Sequence, residues 1–385
     1  DNLISHSQNI DGIKIFDDIS GIAFSGNVVN EVSQQTLTTG IKNASFGLIR
    51  AENGLLYPND SALAYKGVSR DLIPTQKQDT GPKWYTKPIA VIPFAQGKQY
   101  HVANEDGALL NAIKQASDGD VLVLSNAHHV VKQTLSIDKV LTIQGQANTK
   151  LTFERPTLFV IEDSGSLQLQ KLLITGEDAP DSAGNVLIRN TRMPTNTNYR
   201  LHLDQVTISD LDVNHSFHVF DSGYRAFADH IQITNSRFTN ITGDILRLNK
   251  EQDDLGIYNA EYVTLTNNQF SQIQGTLMNV YRGGTDESTF GPHVLMTNND
   301  IAEVGQGKRN KSKAVITLHG VQVANIEENI FTNTPKIIIE HTVAEPKTVV
   351  SDNVFTNTPA PQAAELFTKG PITAVIENNQ FKTLK

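Results

Sequence analysis

The feature that most constrains the fold is an Asn-rich fragment that recurs along the second half of the chain. Six copies end in an apolar residue: "TNSRF" at Phe238, "TNNQF" at Phe270, "TNNDI" at Ile301, "EENIF" at Phe331, "SDNVF" at Phe355 and "ENNQF" at Phe381. The spacings between these residues are 32, 31, 30, 24 and 26. Self-similarity at such a period is typical of a solenoid, in which each repeat forms one coil.

Each copy follows a short run that alternates in twos, such as "HIQI", "YVTL" or "HVLM". Alternation with a period of two indicates strands. A helical solenoid would instead show a period of 3.6 residues between the recurring fragments. A leucine-rich horseshoe is the rival architecture, but its fixed leucine spacing is missing. The sequence therefore predicts an all-β chain, folded as a right-handed parallel β-helix with three short strands per coil and coils about 4.8 Å apart.

An asparagine stands two residues before the apolar residue in the last five copies. These asparagines are Asn268, Asn299, Asn329, Asn353 and Asn379. Residues at the same place in successive coils stack, so we expect an inward ladder of amides at a turn.

One segment, "NEDGALLNAIKQASDGD" (Asn104–Asp120), has helical periodicity instead. Leu109, Ile113 and Ala116 share one stripe, Asn104 is a candidate N-cap, and two acids follow it. A short helix near 104–117 would cover the exposed edge of the first coil of a β-helix.

Before this helix, "FSGNVV" and the opening "DNLI" fit the same Asn-x-apolar rule, with 25 residues between Ile4 and Val29. A stretch rich in turn residues follows (55–88). We therefore expect residues 1–55 to be the last coils of a first β-helix, 56–97 a linker and 98–385 a second β-helix. On this interpretation most of the first domain is missing from this chain or is supplied by another chain.

Composition excludes several function classes. The net charge is −9, so nucleic acid and anionic membrane surfaces are poor partners. The chain has no cysteine, which rules out disulfides and thiolate metal sites. It also has no run of about 18 apolar residues that could span a membrane.

Two stretches resemble a known family. "GLLYPNDSALAYKGVSRDLIPTQKQDTGPKWY" and the later "LLNAIKQASDGDVLVL" are similar to polysaccharide lyase family 6, the family of alginate lyases and chondroitinase B. The resemblance covers nearly the whole chain and implies the C-terminal part of a two-domain alginate lyase, an enzyme that cleaves polyuronate by β-elimination.

The resemblance also implies the protein's surroundings. Family members hold calcium in the first domain, so we expect that site outside this chain and predict no metal within it. The implied partners are alginate and the N-terminal β-helix domain, and a homodimer is compatible with the resemblance. The implied location is the periplasm or the exterior of a bacterium.

By analogy with the family, Lys250 in "GDILRLNKEQ" and Arg282 in "GTLMNVYRGG" are the candidate catalytic residues, as base and as charge stabiliser. They are 32 residues apart, as are Phe238 and Phe270, so both should lie at the same place on adjacent coils. We expect four residues at these strand ends to contact substrate: Asn249, Tyr281, His319 and His341. Tyr281 or His319 could serve as the acid that protonates the leaving oxygen.

Plainer interpretations stay open. Arg282 could pair with Asp286 and Glu287 inside a polar loop, Lys250 could belong to a solvated charge run, and the two histidines could be structural. Arg247 in "GDILRL" departs from the acidic calcium-binding pattern of the family. The basic loop "GKRNKSK" (307–313) is a further candidate for binding a polyanion. The alternative function is a non-catalytic polyuronate-binding or structural β-helix, and a pectinase-like hydrolase ranks low because no aspartate trio aligns.

Overall fold

The computed structural model describes residues 2–5, 23–32, 40–73, 75, 91–191, 198–251, 257–284, 291–342, 346–367 and 373–383. The chain divides into two compact units, Asp1–Val91 and Ile92–Lys385. Among the described residues, no helix has the length and apolar character needed to cross a membrane.

The first unit contains a parallel three-stranded sheet and an antiparallel hairpin. The sheet has the order β1-β2-β3, and Ile4 lies opposite Val29. Its strands are β1 (Leu3–Ser5), β2 (Asn27–Asn30) and β3 (Ile41–Asn43). The hairpin is β4 (Leu48–Arg50) with β5 (Leu56–Pro58), followed by a 3-10 turn at Ser61–Leu63. Of the expected linker, residues 74 and 76–90 lie outside the described part.

The second unit is a parallel β-helix with three sheets, which the chain visits in turn once per coil. Sheet 1 comprises β6 (Gln99–Val102), β7 (Val121–Leu124), β10 (Val140–Gln144), β13 (Ser166–Gln170), β16 (Asn198–Asp204), β19 (Phe227–Thr234), β22 (Ala260–Thr266), β25 (His293–Thr297), β28 (Val323–Glu327), β31 (Lys347–Ser351) and β34 (Val375–Glu377). Sheet 2 comprises β8 (His128–Val131), β11 (Lys150–Phe153), β14 (Leu173–Thr175), β17 (Thr207–Leu211), β20 (Arg237–Ile241), β23 (Gln269–Ile273), β26 (Asp300–Val304), β29 (Ile330–Thr332), β32 (Val354–Thr356) and β35 (Gln380–Lys382). Sheet 3 comprises β9 (Leu135–Ile137), β12 (Phe159–Ile161), β15 (Val186–Asn190), β18 (His218–Asp221), β21 (Leu246–Leu248), β24 (Met278–Tyr281), β27 (Ala314–His319), β30 (Lys336–His341) and β33 (Gln362–Glu365).

This architecture confirms the fold class expected from the repeat. Alternate side chains of each strand point into one continuous apolar core, as the period-two patterns require. The phenylalanines that end the recurring Asn-rich fragments stack within this core. Phe238 stacks on Phe270 with ring centroids 5.0 Å apart, and Phe331 stacks on Phe355 at the same distance.

The asparagine ladder is present at the turn between sheets 1 and 2. Asn268 Nδ2 donates to Asn299 Oδ1 at 2.9 Å, and the same link joins Asn299 to Asn329, Asn329 to Asn353 and Asn353 to Asn379. Each side-chain oxygen also accepts the backbone N–H of the preceding ladder residue. The ladder therefore satisfies polar groups that a buried turn would otherwise leave unpaired.

The residue before each ladder asparagine explains why the motif is doubly rich in Asn. Asn267, Asn298 and Asn378 adopt left-handed backbone angles, with φ of 58°, 55° and 56°. Asn tolerates this region better than other non-glycine residues. In these three coils one asparagine makes the corner and the next makes the ladder, whereas Glu328 and Asp352 make the corner in the other two.

The predicted helix exists but is shorter than expected. Helix α1 spans Ala108–Gln115, and Leu109 and Ile113 are buried in the core beside β6 and β7. Its N-cap is Gly107, with φ 73° and no side-chain capping bond, so the assignment of Asn104 as N-cap was wrong. The acids after Asn104 belong to the turn before the helix and not to its first turn.

Candidate functional site

A group of polar side chains gathers along five successive strands of sheet 3, β18, β21, β24, β27 and β30, for the most part where these strands end. We call it the strand-end cluster, and its members are Asp221, Asp244, Arg247, Asn249, Lys250, Tyr281, His319 and Glu340. Parallel strands in register place equivalent residues of successive coils about 4.8 Å apart, which is why residues distant in sequence meet at this edge.

Tyr281, His319 and Glu340 form one column of the cluster. Tyr281 lies opposite His319, and His319 opposite Glu340, in the strand register. The rings of Tyr281 and His319 stack with centroids 4.3 Å apart and planes 4° from parallel. His319 Nδ1 lies 2.7 Å from Glu340 Oε2. Since an ionised carboxylate only accepts, Nδ1 carries the proton of this bond, and Nε2 of the neutral ring has a lone pair to offer.

Asp221 connects two cations in the cluster. Its Oδ2 lies 3.3 Å from Arg247 Nη1 and 3.4 Å from Lys250 Nζ. Its Oδ1 is buried and has no hydrogen-bond partner among the described residues. Arg247 also approaches Asp244, with Nε 3.6 Å from Oδ2. Positive and negative charges thus alternate along the strand ends.

Asp244 stays ionised despite its burial. Desolvation opposes its ionisation, but the neighbouring His218 and the hydrogen bonds from Thr276 outweigh that effect and lower the pKa of Asp244. Thr276 donates both its backbone N–H and its hydroxyl to Asp244 Oδ1, at 2.7 and 2.9 Å. The sequence analysis assigned no role to Asp244, which lies in the "GDILRL" stretch, and missed Asp221, because neither belongs to a repeated motif.

The two expected catalytic cations have different surroundings. The Lys250 side chain is 30% exposed, and its ammonium turns to Asp221 on the preceding coil. Arg282 is only 1% exposed and is among the largest fully buried side chains. Its Cδ lies beneath Gly291, where an added Cβ would come within 3.1 Å of it. The structure therefore leaves the Lys250 side chain partly exposed and buries Arg282 in the corner after sheet 3.

Tyr258 lies near enough to Arg282 to be affected by its charge. Burial and the adjacent Glu261 raise the pKa of Tyr258, while the positive charge of Arg282 acts in the opposite direction. Tyr258 donates to Glu261 Oε2 at 2.7 Å. The proposed ion pairs of Arg282 with Asp286 and Glu287 fall within residues 285–290, outside the described part.

Of the remaining expected contacts, Asn249 is partly exposed and follows β21 directly, in the position that continues the Tyr281 column. His341 differs, because it is 2% exposed and both ring nitrogens are engaged. Nδ1 contacts Glu365 Oε1 at 2.9 Å and Nε2 contacts Thr348 Oγ1 at 2.9 Å. The expectation that His341 faces a ligand does not fit this burial, since the histidine bonds coils together.

The cluster does not suit calcium, which prefers several free oxygen ligands. The carboxylates of Asp221 and Asp244 already contact basic side chains. In the described part, the one group with converging ligand atoms is His128, Glu177 and Asp178, all exposed. Lys150 Nζ lies 2.5 Å from Glu177 Oε1 there and competes with a cation.

No family model matches the chain, and no curated protein matches it either. Two solved structures resemble it over almost its full length. They are a PL6 family alginate lyase, AlyGC, and a variant of AlyGC in which one arginine is replaced by alanine. Each has 47% sequence identity and a TM-score of 0.76, covering 99% of this chain and 53% of the matched chain.

The chain thus spans about half the length of the structures that it matches. The matched region includes the whole β-helix that carries the strand-end cluster. Its 47% identity is higher than would be expected from a shared fold alone. The chain belongs to polysaccharide lyase family 6.

Proposed function

We propose that this chain forms part of an alginate lyase that cleaves its polymer by β-elimination. The observation that carries the proposal is its 47% identity, over 99% of its length, to the PL6 alginate lyase AlyGC. Because the chain corresponds to 53% of AlyGC, the complete activity would also involve segments that this chain does not contain.

The reaction has three requirements. The uronate carboxylate must be neutralised so that the C5 proton becomes acidic, a base must remove that proton, and the leaving oxygen at C4 must gain a proton as the C4–C5 double bond forms. The strand-end cluster offers a group for each requirement. Lys250 or Arg247 would neutralise the carboxylate, His319 Nε2 would be the base, and the Tyr281 hydroxyl would be the acid.

Glu340 would act through His319. Glu340 accepts a hydrogen bond from His319 Nδ1 at 2.7 Å, which fixes the tautomer in which Nε2 is basic. The same carboxylate would stabilise the imidazolium that forms when Nε2 takes the substrate proton. This assignment differs from the analogy with the family, in which Lys250 is the base and Arg282 the charge stabiliser. Those two roles stay predictions to be tested beside it.

A second candidate is a β-helix that binds polyuronate without cleaving it. The burial of Arg282 and the contact of Lys250 with Asp221 favour it, since neither cation is then free to approach a reacting sugar. In that case the strand-end cluster would hold substrate for a catalytic domain elsewhere.

The proposal includes the setting of the enzyme. Alginate is met outside the cytoplasm, so we place the protein in the periplasm or the exterior of a bacterium. Calcium would bind to the N-terminal β-helix domain, which is the proposed partner of this chain, and a homodimer is a further proposal.

The test is the ultraviolet absorbance of unsaturated uronate, measured with alginate and this chain alone, and with the chain joined to an N-terminal PL6 domain. A signal from the chain alone that disappears in Lys250→Ala or His319→Ala, but not in the control Lys98→Ala, assigns catalysis to this β-helix. A signal only from the joined protein, unchanged there by Lys250→Ala and by His319→Ala, supports the second candidate. No signal from either would contradict the proposed function.

A further inference from the structure

A groove runs along the end of sheet 2, on a different edge of the β-helix from the strand-end cluster. It encloses about 1030 Å³. This volume is at the upper end of the range for ligand sites, about 300–1,000 Å³. We call it the amide groove, and its lining includes Asn240, Gln272, Glu303, Asn333 and Asn357, with Lys308 and Arg309 along its rim.

The five lining residues form a column, because each occupies the same place on successive coils. The register of β20, β23, β26, β29 and β32 aligns the strand ends that carry them. All five have left-handed backbone angles, with φ between 47° and 56°. Four of the five side chains end in an amide. The groove therefore offers hydrogen-bond acceptors about every 4.8 Å, and donors on every coil except that of Glu303.

Part of this hydrogen-bonding capacity is unused. Within the described residues, the Gln272 amide and the Glu303 carboxylate make no side-chain hydrogen bond, and both are exposed. Asn240 by contrast donates to Asp210 Oδ1 at 2.9 Å. The middle of the groove is therefore where a ligand would find open polar groups.

The basic rim is held in place by the protein. Asn310, buried below the loop, donates to the carbonyls of Gly305 and Ala314, both at 2.7 Å. Gly307 packs so closely on Gln274 that an added Cβ would come within 2.6 Å of its carbonyl oxygen. The loop between Gly305 and Ala314 thus presents Lys308 and Arg309 without the entropy loss of ordering a flexible segment.

Charge identifies the ligand class. Lys308 and Arg309 are exposed and have no ion-pair partner among the described residues, and Lys311 and Lys313 lie in the same loop. The single acid in the lining is Glu303. On a chain with a net charge of −9, this is a local positive patch beside a row of amides. Cationic side chains form ion pairs with carboxylates, and amides form hydrogen bonds with hydroxyl groups. A ligand that carries both carboxylates and hydroxyls therefore matches the groove.

We propose that the amide groove is a further binding site for a polyuronate chain, separate from the strand-end cluster. Sugar units of such a chain are comparable in length to the coil spacing, so successive units can meet successive amides while Lys308 and Arg309 pair with carboxylates. The site would hold the polymer on the enzyme between cleavage events. The inference rests on the proposed function for its choice of substrate.

The first experiment measures binding of saturated oligouronates, five and ten units long, to the chain by isothermal titration. The double variant Lys308→Ala/Arg309→Ala should bind about tenfold more weakly. Gln272→Ala should also lose affinity. The controls are Lys347→Ala with Arg237→Ala, which removes two exposed cations elsewhere, and Gln269→Ala at the other end of β23; both should bind like the native chain.

A neutral oligosaccharide of equal length and a polyphosphate chain separate the alternatives. Weak binding of both beside tight binding of the oligouronate supports the proposal. Equal binding of polyphosphate overturns it, because the rim would then attract any polyanion. Native affinity in the double variant overturns the proposal. If the joined enzyme cleaves alginate and Lys308→Ala/Arg309→Ala binds oligouronate as tightly as the native chain, only the groove proposal is refuted. If the native chain binds oligouronate at the groove but the joined enzyme does not cleave alginate, only the proposed function is refuted.

Discussion

His319 and Glu340 are joined by a 2.7 Å contact between Nδ1 and Oε2, across two adjacent coils. This contact sets which nitrogen of His319 can accept a proton. If the proposed role is right, Glu340→Gln should lower kcat on alginate by about 100-fold, because an amide can stabilise either tautomer and cannot stabilise the imidazolium.

The control for that measurement is His101→Ala, which removes an exposed histidine of β6. It should leave kcat unchanged, and His319→Ala should lose at least as much activity as Glu340→Gln. Native kcat in both His319→Ala and Glu340→Gln would remove His319 from the reaction.

A second prediction concerns His202, on the outer face of sheet 1. Burial, the neighbouring His230 and Arg200 lower its pKa to about 4. The folded chain thus binds fewer protons than the unfolded chain between pH 6.5 and 4. The stability that depends on neutral His202 is complete above pH 6.5, the ordinary value, and is lost as the pH falls through 4.

His202→Gln should therefore lose less stability than the native chain between these pH values, by on the order of 1–2 kcal/mol after allowance for solvent screening. The readout is urea unfolding at a series of pH values. His101→Gln should follow the native slope, and an unchanged slope in His202→Gln would show that His202 does not limit acid stability.

A third prediction concerns the ladder at Asn329. Its Nδ2 donates to three acceptors, the Met296 and Glu327 carbonyls and Asn353 Oδ1, while its Oδ1 accepts two bonds from Asn299. Asn329→Ala leaves these buried groups unpaired and should lower the free energy of unfolding by about 3 kcal/mol. Asn325→Ala, in the partly exposed middle of β28, should cost less than about 0.5 kcal/mol. Similar losses in the two variants would argue against the ladder as a source of stability.

A fourth prediction uses the stacked rings of Phe355 and Phe381, whose centroids are 5.2 Å apart. Phe355 is 1% exposed and also stacks on Phe331, whereas Phe381 is 52% exposed. Phe355→Ala should lower the free energy of unfolding by about 3–5 kcal/mol, and Phe381→Ala by about 1 kcal/mol. Chemical denaturation of both variants measures the two losses in free energy of unfolding. A larger loss for Phe381→Ala than for Phe355→Ala would contradict the prediction.

Much of the fold was predictable because its determinants repeat. The spacing of Phe238 and Phe270 predicts adjacent coils, and the two rings do stack. Asn268 and Asn299 were expected in one ladder, and their side chains are bonded. Helix α1 was recognised from its apolar stripe, but its start was misplaced because Gly107, and not a polar side chain, provides the left-handed turn before it.

The site was less predictable, because strand register does not fix the direction of a side chain. Register correctly brought Tyr281 beside His319. Arg282, one residue further, falls on the alternate face and is buried, and the same alternation buries His341 beside the half-exposed Glu340. Asp221 was missed since ionic contacts between coils depend on neighbours that carry no motif of their own.

The ladder also has a direction. Every amide from Asn268 to Asn353 gives its N–H to the next coil and its oxygen to the previous one. The amide dipoles therefore add head to tail along the axis of the β-helix, with the positive end towards Asn379, and each bond polarises the next. A coil with a reversed amide would set oxygen against oxygen on one side and N–H against N–H on the other, so the row enforces one orientation on every coil that joins it.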